Sequence, residues 1–320
     1  MGYLAGWRLV RSLPEPVVDR SSRAAADAAW RRRGAAVRRL ESNVARLLAA
    51  RDGRAADPAE VRAVARRGLR TYARYWHEAF RLPALGAADV AARFPVVGTE
   101  HLDAAVASGR GAVLALPHMG NWDLAGAWLT GRGVPFTTVA ERLEPAVLFE
   151  AFVAFREGLG MEVLPLTGGR RPPAALLSER LRAGGVLCLL ADRDLSRHGV
   201  EVELAGARTR VPAGPARLAL QTGAVLLPVT TWHPDDLDEP GARGRVHPPL
   251  PHPAPADPGR PDADLDARTA ALSQSLVDVL AHGPDGLLER PGDWHMLQRL
   301  WLDDLAGDDP RRRVPAGTAR

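Results

Sequence analysis

The 320-residue chain has no lysine, no isoleucine and a single cysteine, Cys188. All 42 basic residues are therefore arginines, and they are nearly balanced by 38 acidic residues. Missing lysine and isoleucine are typical of a GC-rich genome, so abundant arginine indicates little about function here. One cysteine excludes an intramolecular disulfide and a cysteine-based metal cluster. Because Cys188 lies in the apolar run GVLCLL, we expect a small buried hydrophobe in a reducing cytoplasm rather than a nucleophile.

Long hydrophobic runs are also missing. Arginines and prolines interrupt every stretch before it reaches the roughly 18 to 20 apolar residues that a spanning helix needs, so we expect no membrane crossing. The N-terminus also lacks the uninterrupted apolar segment and cleavage site of a secretory signal. Instead, Tyr3, Trp7 and Val10 recur at helical spacing until Pro14. Such a stripe is typical either of a helix docked on its own protein or of one lying in a membrane interface.

The order of the remaining patterns predicts one α/β domain over residues 1–308, with a mainly parallel central sheet flanked by helices. Residues 1–92 show helical spacing and many arginines, and we interpret them as a helical, membrane-proximal part. Residues 93–308 would form the α/β core, and 309–320 a disordered tail. The segment 233–264 is rich in Pro, Asp and Gly and predicts a long loop. The expected strands are GAVLALP, VPFTTVA, MEVLPL, GVLCLLA and AVLLPVTTW, with VEVELAG as an edge or antiparallel strand.

A histidine follows the first of these strands, in the segment LALPHMGNWDLAGAW. His118 stands directly after the strand, and Asn121, Trp122 and Asp123 come where the next helix begins. The carboxyl ends of parallel strands are where α/β folds bind ligands, which makes this histidine a candidate for catalysis. Residues five apart on one helix do not share a face, so a pairing with Asp123 requires His118 at or before the helix start.

These residues and four ordered segments resemble the bacterial lipid acyltransferases, which include the lipid A lauroyl and myristoyl enzymes. The family signature is a histidine, four residues and an acid, which His118 and Asp123 match. The resemblance is closest to the actinobacterial phosphatidylinositol mannoside acyltransferases. The segments are TVAERLEP, ADRDLSRHGVEVELAG, RVPAGPARLALQTGA and PGDWHMLQRLW. The resemblance further implies a second acid near His118, for which we favour Asp192 over Asp194.

The chemistry of acyl transfer accounts for these residue types. A sugar hydroxyl is a poor nucleophile and a thioester is an activated donor, so the reaction lacks only a base. A histidine can take the hydroxyl proton and return it to the leaving thiolate, while an acid fixes the imidazole tautomer. We therefore expect His118 as general base, with Asp123 and Asp192 as acidic partners.

Further residues are expected to contact substrate, besides Asn121 and Trp122. Glu141 and Arg142 follow the strand VPFTTVA and should border the same cleft, and Arg156 could contact phosphate. Asp194 and His295 complete the set, although Asp194 could equally cap the loop that follows it. Trp294 could line the cleft, but its Trp, Met and Leu neighbours are more typical of core.

The preferred hypothesis is a peripheral enzyme at the cytoplasmic face of the plasma membrane. It would move a long fatty acyl chain from acyl-CoA, a co-substrate, to a mannose hydroxyl of phosphatidylinositol mannoside on an anionic membrane surface. We expect no other cofactor, no metal and no nucleic acid. Two alternatives stay open, namely transfer to a lipid A precursor or other glycolipid, and a non-catalytic lipid-binding protein. A metal hydrolase is disfavoured because no compact ligand set is visible.

Overall fold

The structure is a computed structural model that describes residues 10–141, 146–168, 171–194, 199–254 and 261–304, the last range without the side chains of 261–263. Three sequence-based expectations fall outside these ranges. They concern most of the N-terminal stripe, Arg142 and the tail at 309–320.

The N-terminal part is helical, as the spacing predicted. Its helices are α1 (Glu15–Arg32), α2 (Ala35–Asp52), α3 (Pro58–Arg81) and α4 (Ala87–Arg93), with a short 3₁₀ turn over Leu82–Ala84. The boundaries follow local chemistry. Gly53 ends α2 in a left-handed conformation, and the Asp57 side chain accepts a hydrogen bond from the Ala59 N–H where Pro58 starts α3.

The central sheet has seven strands in the order β1-β9-β8-β2-β5-β3-β4. All neighbouring strands run parallel except β8 and β9, so the predicted mainly parallel sheet is confirmed. The strands are β1 (Val96–Val97), β2 (Ala112–Leu116), β3 (Phe136–Ala140), β4 (Glu162–Pro165), β5 (Val186–Leu190), β8 (Val225–Trp232) and β9 (Arg243–Val246). Every residue of β2 and of β8 is buried, as expected for strands covered on both faces.

The alternating segment VEVELAG forms β6 (Val200–Leu204), which pairs antiparallel with β7 (Ala207–Val211) in a separate hairpin. Helices α5 (Thr99–Ala107), α6 (Trp122–Gly131), α7 (Ala146–Gly158), α8 (Pro173–Arg182), α9 (Gly214–Thr222) and α10 (Pro261–His282) complete the fold. The predicted loop at 233–264 is wrong in part, because it contains β9 and the start of α10. Two of the four β9 residues are arginines, which hid its alternating burial.

The residues of β2 alternate between two apolar layers. Val113 and Ala115 pack on the face covered by α8, α9 and α10, whereas Leu114 and Leu116 face Phe136 and the other layer. Among the described residues, no helix has the length and apolarity to span a membrane. The chain leaves β2 at the carboxyl edge of the sheet, where the candidate site lies.

Candidate active site

His118 lies beyond the end of β2, next to the end of β5. The two strands pair in parallel with Leu116 opposite Leu190. His118 and Asp192 each lie two residues beyond these positions. Gly120 makes the following turn with φ of +57°, and a Cβ there would lie 2.4 Å from the Thr231 backbone. His118 thus stands before the start of α6, as the pairing argument required.

The Asp192 carboxylate contacts both the backbone and the ring of His118. Its Oδ2 accepts from the His118 backbone N–H at 2.9 Å, and its Oδ1 lies 2.6 Å from Nδ1 of the ring. The Trp294 indole N–H also donates to Oδ2, at 2.8 Å. Burial of Asp192 disfavours its charge, but His118 and Trp294 outweigh that effect and hold the pKa of the carboxyl below its ordinary value.

The ionised carboxylate can only accept hydrogen bonds, so Nδ1 of His118 carries a proton and, in the neutral ring, Nε2 has the lone pair. No hydrogen bond to Nε2 occurs among the described residues, and 22% of the His118 side chain is exposed. The pair is therefore arranged as a base that can take a proton from a substrate.

Asp123 is engaged elsewhere, which corrects the expectation that it orients the imidazole. Its carboxylate accepts from Arg156, with Nε to Oδ1 at 2.8 Å, and from the Tyr75 hydroxyl at 2.7 Å. Burial raises the pKa of Tyr75, and the Asp123 charge adds to that effect. Asp123 is the second residue of α6 and lies in its first turn.

An apolar pocket runs between the sheet and α6. Its floor includes Leu114 and Leu116 of β2, and Met161 lies in its wall. Its polar lining includes Asp123 and Arg156. The Trp122 ring belongs to the same wall, with its centroid 5.7 Å from that of the His118 ring. The pocket therefore lies next to the candidate base.

Two predicted substrate residues lie at other places in the cleft region. The Asp194 carboxylate accepts from the Gly199 backbone N–H at 3.1 Å, so it caps its loop, as one of the two alternatives had it. Glu141 is exposed just beyond β3, with its carboxylate 3.9 Å from Arg193. Arg142 lies outside the described residues.

Asn121 and His295 belong to the framework under His118. Asn121 is fully buried and caps α6, with its Oδ1 accepting from the Leu124 N–H and its amide donating to Glu78. Both polar groups of Asn121 thus have partners within the protein, and its contact with substrate stays a prediction. The His295 backbone N–H donates to the His118 carbonyl at 2.8 Å. Burial, reinforced by the charge on His233, lowers the pKa of His295 to about 3.

Four residues near the site were not predicted from the sequence, namely Tyr75, Glu78, His233 and Asp293. One signal was available for His233, which follows β8 directly and so obeys the rule that selected His118. Tyr75 and Glu78 lie within a long helix whose pattern marks them only as part of a buried face.

The chain is similar over most of its length to known acyltransferases. The profile of the bacterial lipid A biosynthesis acyltransferases matches residues 2–303. A phosphatidylinositol mannoside acyltransferase of Mycolicibacterium smegmatis is 45% identical over 319 residues, covering 99% of this chain and 95% of the relative. A protein of the same name from Mycobacterium tuberculosis strain H37Rv is 45% identical over 306 residues, covering 95% and 89%.

Proposed function

The chain belongs to the bacterial lipid A biosynthesis acyltransferase family, and from that premise we propose that it transfers a long fatty acyl chain from acyl-CoA to a mannose hydroxyl of phosphatidylinositol mannoside. The observation that carries the proposal is the His118–Asp192 pair, which keeps Nε2 free beside an apolar pocket. The acceptor follows from the names of the 45% identical relatives.

The proposed reaction uses the pair as a general base. Nε2 of His118 takes the hydroxyl proton while the sugar oxygen attacks the thioester carbonyl. Asp192 holds the Nδ1 proton and stabilises the imidazolium that forms. The tetrahedral intermediate then collapses, the carbon–sulfur bond breaks, and the imidazolium returns its proton to the thiolate. The ester and free coenzyme A leave with no net change in the protein.

The apolar pocket supports the choice of a long-chain donor. Its lining is aliphatic and aromatic apart from a few polar groups, so a hydrocarbon chain would gain from burial there. Asp123 and Arg156 form an ion pair in the wall of the pocket, so the bound acyl chain would meet no unpaired charge there. Glu141 and Arg193 lie at the sheet edge and would face the acceptor side.

Product analysis tests the proposal directly. The purified protein would be incubated with palmitoyl-CoA or palmitoyl carrier protein, and with phosphatidylinositol mannoside or a lipid A precursor. We expect mass spectrometry to show a palmitoyl ester on a mannose residue, with acyl-CoA as the better donor. Acylation of the lipid A precursor alone would contradict the acceptor, and binding of acyl-CoA without any transfer would favour a non-catalytic lipid-binding protein.

We further propose that the N-terminal helices hold the protein on the cytoplasmic face of the plasma membrane. Arg31, Arg32 and Arg39 are exposed on α1 and α2 and suit anionic headgroups, each contributing about 1 kcal/mol near such a surface. Replacing all three by Gln should weaken sedimentation with phosphatidylinositol vesicles and reduce its salt dependence. Equal sedimentation of variant and parent would contradict this surface.

A further inference from the structure

We infer that His233, Glu78 and Asp293 form a buried ion cluster that positions the segment 118–121, with His233 as a positioning residue of acyl transfer. The inference rests on the proposed function of His118. His233 lies between the two acids and is fully buried. Its Nδ1 and its backbone nitrogen lie 3.1 and 3.0 Å from Asp293 Oδ1, and its Nε2 lies 3.8 Å from Glu78 Oε2.

The Glu78 end of the cluster holds the start of α6. Glu78 Oε2 accepts from the Asn121 amide at 2.8 Å, and Asn121 Oδ1 accepts from the Leu124 N–H at 3.0 Å. Glu78 Oε1 accepts from Arg74 Nε at 2.7 Å. Glu78 of α3 thus fixes Asn121, the residue that caps α6.

The Asp293 end holds the other side of the same segment. The Asp293 carbonyl accepts from the Gly120 N–H at 3.0 Å, and the next residue, Trp294, donates its indole N–H to Asp192. His295 then donates its backbone N–H to the His118 carbonyl at 2.8 Å. A displacement of Asp293 would therefore move both His118 and Asp192, the two members of the proposed base pair.

The charges of the cluster depend on one another. Burial disfavours a charged His233, but Asp293 and Glu78 outweigh it and raise the pKa of the imidazole above its ordinary value. The pKa values of Glu78 and Asp293 are lowered. Arg74 and Arg67 are the other cations at these carboxylates, Arg67 at 3.5 Å from Asp293. The ring of His295 lies 6.3 Å from that of His233 between centroids, and burial lowers the pKa of its imidazole to about 3.

This arrangement has a defined pH dependence. A raised pKa in the folded state means that the cation contributes fully below the ordinary histidine pKa. The contribution is lost as the pH rises through the folded-state pKa, when two buried carboxylates lose the cation between them. Alkaline pH should therefore lower kcat through loss of alignment, while leaving the donor pocket intact, because none of the three cluster residues lines it.

The test uses the full chain carrying His233→Gln, whose amide can donate a hydrogen bond within the cluster but cannot carry charge. We expect kcat to fall by roughly tenfold to a hundredfold, as for other small misplacements of catalytic groups, with KM for acyl-CoA nearly unchanged. The alkaline decline of kcat that we expect of the parent should be absent from this variant. Independently of any substrate, the low-field proton resonance of the 2.6 Å His118–Asp192 contact should shift or broaden.

His247→Gln is the matched control. His247 is also buried and contacts the Thr230 hydroxyl at 3.1 Å, but it touches no residue of the cluster. The His247→Gln variant should keep the low-field resonance of the parent and its decline of kcat at alkaline pH. If His233→Gln does not fold, Asn121→Ser removes the Glu78 contact instead and should lower kcat.

Two results would overturn the inference. One is a folded His233→Gln or Asn121→Ser protein with parental kcat and an unchanged His118 resonance. The other is an equal loss in His247→Gln, which would mean that any buried histidine has the same effect. Failure of the proposed acceptor would look different, because no transfer would occur in the parent while the resonance would still respond to His233→Gln.

Discussion

Asp192 and Asp123 are both almost completely buried near His118, yet they have opposite surroundings. Asp192 faces an imidazole that can gain and lose a proton, and Trp294 supports it. Asp123 faces Arg156, which stays charged, and accepts from the Tyr75 hydroxyl. The first arrangement can change its charge during a reaction and the second cannot. The partner of a buried carboxylate, more than its place in a motif, determines what the carboxylate can do.

The two acids also differ in what they border. Asp123 and Arg156 lie in the wall of the apolar pocket, and together they tie α6 to α7. Asp192 lies outside that lining, at the sheet edge. Changes on the Asp123 side should therefore alter stability and the choice of donor. Changes on the Asp192 side should alter kcat and its pH dependence.

The largest expected effect is that of His118→Ala. Removing the base should lower kcat on the order of 10³- to 10⁴-fold, while the fold stays intact because the ring is partly exposed. Steady-state transfer assays and thermal melting check both parts. His101→Ala, at a partly exposed histidine away from the site, should retain parental activity. A folded His118→Ala protein with full activity would end the base assignment.

Asp192→Asn should come next, with a loss on the order of 10³-fold in kcat, close to that of removing the base. If the new amide oxygen accepts from Trp294 and from the His118 backbone, its NH₂ faces Nδ1 of the ring. The ring must then carry its proton on Nε2 and cannot act as a base. Kinetics over a pH range would show the change. A pH profile like that of the parent would mean that Asp192 takes no part in the mechanism, and it would favour Asp123 as the acidic partner.

Gly126→Leu should change the ratio of the KM values for long and short donors by about tenfold. Overpacking of a filled space costs about 1 to 3 kcal/mol, and a long acyl chain would meet the added side chain. A Cβ at Gly126 would already lie 2.6 Å from the Met161 methyl and 3.1 Å from Phe136, both in the pocket lining. We expect KM to rise for palmitoyl-CoA more than for octanoyl-CoA. Gly131→Leu, at an exposed position on the same helix, is the matched control. Equal effects on both donors would argue against this pocket as the acyl site.

Asp123→Asn should have the smallest effect on kcat, within about tenfold, and act mainly on stability. Leaving Arg156 without its carboxylate should cost about 3 kcal/mol, because only 18% of that side chain is exposed. Urea unfolding would measure the loss. The double variant Asp123→Asn with Arg156→Met should recover part of it by removing the unpaired charge. A drop in kcat as large as that of Asp192→Asn would break the distinction between the two acids.

Much of the fold could be predicted from the sequence, since the strands that proved central are continuous apolar runs. The short β9 was missed because its arginines mask its alternation. At the site, His118 was predictable from its place after β2, and Asp192 from its place after β5. Tyr75 and Glu78 could not be found, because their partners lie more than 40 residues away along the chain.

The sequence by itself determined which residue types stand at the strand ends, and it placed His118 between the apolar run of β2 and the start of the next helix. Only the tertiary structure decided which acid meets the imidazole. The parallel register of β2 with β5 brings His118 and Asp192 together, although 74 residues separate them. Asp123, five residues from His118, lies in the helix that begins at Trp122 and contacts Arg156 and Tyr75 instead. Strand adjacency and helix geometry are properties of the packed fold, so proximity in the chain could not settle the pairing.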